Sequence, residues 1–313
     1  MKRDNTKKIE IALLAGGWSR ERDVSIRSGE AVFRALDGNK YKVTKYDPRD
    51  DLGSLIKAKD NIDLAFILLH GKYGEDGSLQ GLLDILNIPF VGSGVLSSAM
   101  AFNKRIAKER FKYFGLNVIK DKILYRGKDF FVDQIIEEVG PSMVVKPVNE
   151  GSSIGVSICH NRDQLLMGID QAFQHDQEIM IENYIGGREL SCCVIGANDL
   201  ETLPVVEIIP GNGHLFFDYE AKYTAGVTKE ICPADLHVDL KEKVEDCAKQ
   251  AHEALMCSVW SRTDMIVEGE RVYVLETNTI PGMTENSLVP LSARAAGISF
   301  SQLLDRLIAL SLL

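Results

Sequence analysis

The strongest constraint on the fold lies in residues 1–95, where short apolar runs alternate with amphipathic stretches. Residues Ile9–Leu14, Tyr41–Tyr46 and 63–69 have the length and apolar character of strands. Residues 25–36 and 78–86 carry the i, i+3, i+4 apolar spacing of helices, with Ser25 placed as an N-cap, and 89–92 reads as a further short strand. This alternation of strands and helices implies a parallel sheet covered by helices. In such sheets ligands bind at the loops after the strands, here the glycine-rich segments AGGWSRERD and HGKYGEDG.

A chain of 313 residues is too long for one simple core. Past residue 95 comes a long helix over 95–114. A smaller unit follows: strand 122–125, helix 130–139, strand Met143–Pro147, a Gly/Ser loop, strand 156–159, helix Arg162–Phe173 and strand 178–182. From residue 188 the strands become hairpin-like and antiparallel. Residues 216–233 lack periodicity and read as a long functional loop. Helix 239–256, a hairpin and two C-terminal helices complete the chain. The expected fold is α/β, divided into an N-terminal parallel α/β domain over 1–95 and two α+β domains over 96–187 and 188–313.

The net charge of −9 argues against a nucleic-acid or anionic-membrane surface, and no apolar run reaches membrane-spanning length. The basic, then apolar N-terminus leads straight into a glycine turn and reads as a first strand instead of a signal peptide. Six cysteines (159, 192, 193, 232, 247, 257) form no CxxC pair, which points to free thiols in a reducing cytoplasm. Cys192 and Cys193 lie on one strand and should face opposite ways. The six histidines show no zinc spacing.

Chemistry enters with the runs 259–267 and Arg271–Asn278. Glu276 and Asn278 share one strand face, as do Arg262 and Asp264. If the runs pair around a three-residue tip of Glu268, Gly269 and Glu270, Arg262 stands opposite Glu276 and Asp264 opposite Val274. All four then share a face. An even loop would put Asp264 on the wrong face unless a bulge compensates. Two carboxylates and an amide oxygen are donors that suit Mg²⁺; alone, they also suit a solvated sheet face. NEGSSIGV (149–156) can lay backbone N–H groups over phosphates, or be an ordinary turn, and Lys146 lies on the apolar strand feeding it. No Walker A or GxGxxG motif is present. IENYIGGREL offers a strand end for an adenine edge, or a surface linker. Glu21, Arg22 and Asp23 could anchor an ammonium group, or complement a helix N-terminus.

Taken in order, GGWSRERDVS, HGKYGEDGSLQG, KPVNEGSSIGV, EAKY, SRTD and ETNTIPGMTENSLVP resemble the D-alanine–D-alanine ligase family of the ATP-grasp superfamily, over nearly the whole chain. The resemblance implies an ATP-grasp fold in which the central and C-terminal domains sandwich ATP. It implies that Lys104, Lys146, Ser153 and Lys222 contact phosphates, that Glu182, Tyr184 and Ile185 line the adenine edge, and that Glu189 binds ribose. Asp264, Glu276 and Asn278 would hold two Mg²⁺ ions, with Mn²⁺ able to substitute. Arg262 and the Gly282 N–H would stabilise the tetrahedral oxyanion. Glu21 would anchor the first D-alanine and join Ser152 and Tyr223 in a hydrogen-bonded trio. Ser287 and the Leu288 backbone would take the second D-alanine carboxylate, with His70 as a neighbour. The implied reaction activates one D-alanine as an acylphosphate and joins it to another, for cell-wall peptidoglycan precursors. The family is cytoplasmic and usually homodimeric, with the N-terminal domain as the interface. Intact Lys222-Tyr223 favours D-alanine as acceptor. Trp18, Asp23 and the Glu285-Asn286 pair depart from the usual pattern. Two alternatives are a ligase using D-serine or D-lactate as acceptor, and a non-catalytic nucleotide-binding protein on the same scaffold.

Overall fold

A computed structural model describes residues 7–211 and 228–313. Strand β1 (Ile9–Leu14) lies between and parallel to β2 (Tyr41–Tyr46) and β3 (Leu64–Ile67). Residues 89–92 add only a single parallel bridge, Ala65 to Phe90. Two glycines with positive φ follow β1 because nothing larger fits: a Cβ on Gly16 would meet the Asp47 carboxylate at 2.2 Å, and one on Gly17 would meet Leu69 at 2.3 Å. Helix α1 runs over Arg22–Ala35. It starts three residues before the expected Ser25 cap, and Glu21 occupies the N-cap position. Ser25 is instead buried in the first turn. Its Oγ accepts from the Gly16 N–H at 2.8 Å and donates to the Leu68 carbonyl at 2.6 Å. It therefore ties the loop after β1 to the end of β3.

Helix α2 (Pro48–Lys57) was not anticipated, although Asp47 caps it, Pro48 opens it and Asp50 and Asp51 fill its first turn. Helix α3 spans Ser78–Ile85. The expected single helix over 95–114 is two, α4 (Val95–Phe102) and α5 (Lys104–Tyr113). They break at Asn103, whose extended backbone lets its side chain cap α5 through the Ile106 N–H at 2.9 Å.

The central sheet is antiparallel, ordered β4 (Asp121–Tyr125), β7 (Glu178–Asn183), β5 (Met143–Pro147), β6 (Ser157–Cys159), with helices α6 (Val132–Val139) and α7 (Arg162–Phe173) on one side. Alternation sorts its side chains. Met143, Val145, Ile179 and Ile181 join the core under the helices, while Val144, Lys146 and Glu182 face away from it, into a cleft.

The third sheet begins with β8 (Arg188–Gly196), with the two-residue β9 (Glu201–Thr202) and β10 (Val206–Pro210) on one edge, and β11 (Thr228–Ile231) beyond β10. That last strand replaces the end of the loop expected over 216–233; residues 212–227 lie outside those described. Helix α8 (Val238–Ala254) covers one face of the sheet. On the other edge of β8 lie β12 (Val259–Glu268) and β13 (Arg271–Asn278). As expected, Cys192 and Cys193 face opposite ways, Cys192 into the core under α8 and Cys193 into the core shared with β1. Helices α9 (Leu288–Ala295) and α10 (Phe300–Ser311) close the chain. Leu303, Leu304 and Leu307 of α10 pack with Leu13, Phe66, Ile195 and Trp260, so one core welds the parallel sheet to the third sheet.

The hairpin register differs from the expected one. Glu268 pairs with Arg271, leaving a two-residue turn at Gly269-Glu270, and Met265 pairs with Val274. Leu275 is then skipped, so Asp264 stands opposite Glu276 and Arg262 opposite Asn278. An even turn without this bulge would have separated the two acids onto opposite faces.

Candidate active site

Two adjoining cavities lie between the central and third sheets and the loops of the parallel sheet, about 690 Å³ and 420 Å³ in volume. Lys104, Glu150 and Glu276 line both.

The larger cavity gathers Glu21, His70, Ser152, Arg262, Asn278 and Ser287, with Gly282 and Leu288 at the same wall. Ser152 donates to the buried Glu21 carboxylate, joining the Gly/Ser loop to the loop after β1. Ser152 and Ser153 hold φ of 49° and 58°, a left-handed conformation that costs a non-glycine residue about 1 kcal/mol or more. Gly282 cannot carry a side chain without pressing on Ser287, since its Cβ would lie 3.0 Å from Oγ. Ser287 in turn holds Thr284 through its N–H at 3.1 Å.

His70 is 6% exposed, and its Nε2 is buried with no hydrogen-bond partner among the described residues. Burial alone would depress its pKa. Glu75, whose carboxylate lies 3.9 Å from Nδ1, and Glu21 outweigh that effect and hold the imidazole above its ordinary value, against Arg262. Glu75 also accepts from the Gly71 N–H at 2.5 Å.

Arg262 grips Asp264 as a fork, Nε to Oδ1 at 2.9 Å and a terminal nitrogen to Oδ2 at 2.6 Å. Ser191 donates to the same carboxylate at 2.7 Å. Glu276 lies 3.7 Å from the Lys104 ammonium, and Asn278 Oδ1 accepts from the Ile280 N–H at 2.9 Å. Among the described residues, no group of three or more His, Cys, Asp or Glu side chains could hold a metal alone. Two carboxylates and an amide beside a cavity fit Mg²⁺ nonetheless, because that ion keeps few protein ligands and completes its shell with water and phosphates.

The smaller cavity is lined by Lys146, Ser153, Glu182, Tyr184, Ile185, Glu189 and Asp264. Glu182 is clamped between two lysines, Lys146 at 2.6 Å and Lys108 at 2.5 Å. Burial would push its carboxyl up; the two ammonium groups outweigh this and hold it below the usual carboxylate range.

The described residues that the family resemblance assigned to the site thus line one of these cavities. Arg22 and Asp23, the other candidate ammonium anchors beside Glu21, line neither, and Arg22 pairs with Asp47 instead. Lys222 and Tyr223 lie outside the described residues. Lys108, Glu75, Ser191 and Glu230 were missed. Burial raises the Glu230 carboxyl pKa, with Arg262 opposing, and Glu230 lines the larger cavity from β11. Lys108 had a visible signal, the spacing of Lys104, Lys108 and Lys112 on one helix face. Glu230 had none, because its neighbours give no strand pattern.

Comparison with known proteins bears on this arrangement. Residues 111–309 match the family described as D-ala D-ala ligase C-terminus, and residues 50–93 match D-ala D-ala ligase N-terminus. The chain is 50% identical over 308 residues to the D-alanine–D-alanine ligase of Syntrophobacter fumaroxidans, covering 98% of this chain and 99% of that one. It superposes on the D-alanine–D-alanine ligase from Bacillus anthracis complexed with ATP with a TM-score of 0.85, at 36% identity and 97% coverage of both chains. The VanG D-Ala:D-Ser ligase from Enterococcus faecalis aligns at 31% identity with a TM-score of 0.81, covering 97% of this chain and 100% of that one.

Proposed function

Because the chain belongs to the D-alanine–D-alanine ligase family, we infer that it joins two D-alanines into D-alanyl-D-alanine while converting ATP to ADP and phosphate. The observation that carries this reading is the meeting of the two cavities at Lys104 and Glu276. A nucleotide in one places its terminal phosphate beside a small carboxylate in the other.

In this reading ATP lies in the smaller cavity, between residues 96–187 and 188–313. Glu182 accepts from the adenine amino group beside the Tyr184 and Ile185 backbone, and Glu189 accepts from the ribose hydroxyls. Lys104, Lys146, Ser153 and, by its motif, Lys222 meet the phosphates. Asp264, Glu276 and Asn278 would hold two Mg²⁺ ions, or Mn²⁺, which supply positive charge to the phosphoryl group in transfer.

Glu21 anchors the ammonium of the first D-alanine in the larger cavity. A carboxylate oxygen of that D-alanine attacks the γ-phosphorus, the bond from phosphorus to the bridging oxygen breaks, and ADP leaves. Ser287 and the Leu288 backbone hold the carboxylate of the second D-alanine, near His70. Its amine, once deprotonated, attacks the acyl carbon. Arg262 and the Gly282 N–H stabilise the oxyanion, and the carbon–oxygen bond to phosphate then breaks. The link from Glu21 to Ser152, with Tyr223 as third member, keeps water from the acylphosphate.

The same reading makes the enzyme a cytoplasmic homodimer that supplies peptidoglycan precursors, with residues 1–95 at the dimer interface. Among the described residues no helix is long and apolar enough to cross a membrane. The acceptor is D-alanine by the intact Lys222-Tyr223 motif. Phosphate release and product analysis with ATP, Mg²⁺ and D-alanine, alone or with D-serine or D-lactate, test this. Dipeptide of D-alanine as the main product supports it; preferred incorporation of D-serine or D-lactate replaces the acceptor, and no phosphate release overturns the enzyme reading.

A further inference from the structure

Lys108 has no part in the reaction described above, yet it is among the most buried charged side chains of the molecule, 4% exposed. Its ammonium lies 2.5 Å from Glu182 and 3.2 Å from Asp121. Asp121 and Glu182 are direct cross-strand neighbours on β4 and β7, where two like charges repel unless a cation lies between them. Lys108 is that cation. Asp121 has a second partner in Lys112 at 3.1 Å, and Glu182 has one in Lys146 at 2.6 Å.

The two partners of Glu182 are not equivalent. Lys146 lies on the strand that feeds the Gly/Ser loop and lines the nucleotide cavity. Lys108 comes from α5, one helical turn beyond Lys104. When Lys146 turns to phosphate oxygens, Lys108 is the one cation among the described residues still paired with Glu182, and a buried carboxylate left alone is strongly destabilised. We propose that Lys108 is a positioning residue of the nucleotide site: it holds the Glu182 carboxylate at the adenine edge once Lys146 has turned to the phosphates. This rests on the reading of the smaller cavity as the ATP site. A charged carboxylate only accepts hydrogen bonds. It therefore suits the amino group of adenine and opposes the carbonyl that guanine carries at the same place, so Lys108 also sets base preference.

Steady-state kinetics with ATP and GTP, together with thermal melting, on wild type, Lys108→Met, Glu182→Gln and the double variant test the proposal. Lys108→Met is expected to raise the ATP KM at least about tenfold and kcat to fall less than about threefold, the loss of one buried counter-charge in binding. The ATP-to-GTP preference in kcat/KM is expected to fall by a similar factor. The double variant is expected to match Glu182→Gln, since a neutral amide needs no cation. If Glu182→Gln leaves the ATP KM unchanged, the reading of the cavity fails and the proposal falls with it. If that variant raises KM but Lys108→Met does not, the proposal alone is overturned. A lowered melting temperature and kcat with an unchanged KM likewise reduces Lys108 to a structural role. Should Lys108→Met fail to fold, the double variant decides against Glu182→Gln: equal KM supports the proposal, and a further rise above about threefold overturns it.

Discussion

Asp264 and Glu276 face one another across the β12–β13 hairpin because Leu275 is bulged out of the pairing between Glu276 and the turn. The bulge reverses the parity set by the two-residue turn. It brings both acids, with Arg262 and Asn278, to the cleft side of the sheet. Leu275 and Glu276 both line the smaller cavity.

Glu276→Ala is expected to reduce phosphate release at least about a hundredfold, since even the groups around metal ligands typically matter by ten- to a hundredfold. The Glu276 side chain is 35% exposed and its strand is held by backbone pairing, so the melting temperature should move little. Unchanged turnover would refute the assignment of Glu276 to the metal and phosphate site.

Arg262→Lys should lower kcat by about 10²- to 10³-fold, the usual loss for one oxyanion donor, because an ammonium cannot reproduce the fork. The fork holds Asp264 through two nitrogens at 2.9 and 2.6 Å. A variant retaining wild-type kcat would remove Arg262 from the reaction.

Ser152→Ala removes the hydroxyl that donates to Glu21. A hydrogen bond to a charged group contributes about 1.5–3 kcal/mol, so the D-alanine KM should rise about tenfold or more. The ratio of phosphate released to dipeptide formed should climb above one as water reaches the acylphosphate. A ratio held at one would show that closure does not depend on this link.

Much of the architecture was legible in the chain. Alternation of apolar runs and helical spacing identified the parallel sheet and helices α1 and α3 but not α2, and two-residue periodicity correctly set Cys192 against Cys193. Motif order gathered residues as far apart as Glu21 and Ser287. The failures were those of local geometry. Apolar spacing runs unbroken through 95–114, yet Asn103 breaks the helix because its side chain serves the next turn better as a cap. Ser25 looks like a cap, but its hydroxyl serves Gly16 and Leu68 through contacts distant in sequence. Turn parity depends on one residue, and a bulge can restore faces that parity alone would separate. Helix spacing set Lys108 on one face with Lys104, but its role stayed hidden because its partners, Asp121 and Glu182, come together only when β4 pairs with β7.

His252 predicts an acid limit to stability. It is buried on α8, its Nδ1 lies 2.8 Å from Ser261 Oγ, and desolvation lowers its pKa to about 4. The folded state keeps it neutral, whereas the unfolded chain takes up a proton below the ordinary value of 6.5. Stability from this group is therefore complete above pH 6.5 and is lost as pH falls toward 4, by about 3 kcal/mol in all. Melting curves of wild type and His252→Gln over that range check this. The variant should show the weaker pH dependence, and parallel curves would contradict the assignment.

The central claim is that a D-alanine carboxylate is activated by phosphoryl transfer within one shared cleft. D-alanine labelled with ¹⁸O in its carboxylate tests it most directly, through mass analysis of the phosphate released during dipeptide synthesis with ATP and Mg²⁺. One labelled oxygen from the donor should appear in the phosphate, because the acylphosphate breaks between the acyl carbon and that oxygen. Dipeptide formed alongside unlabelled phosphate would contradict the account.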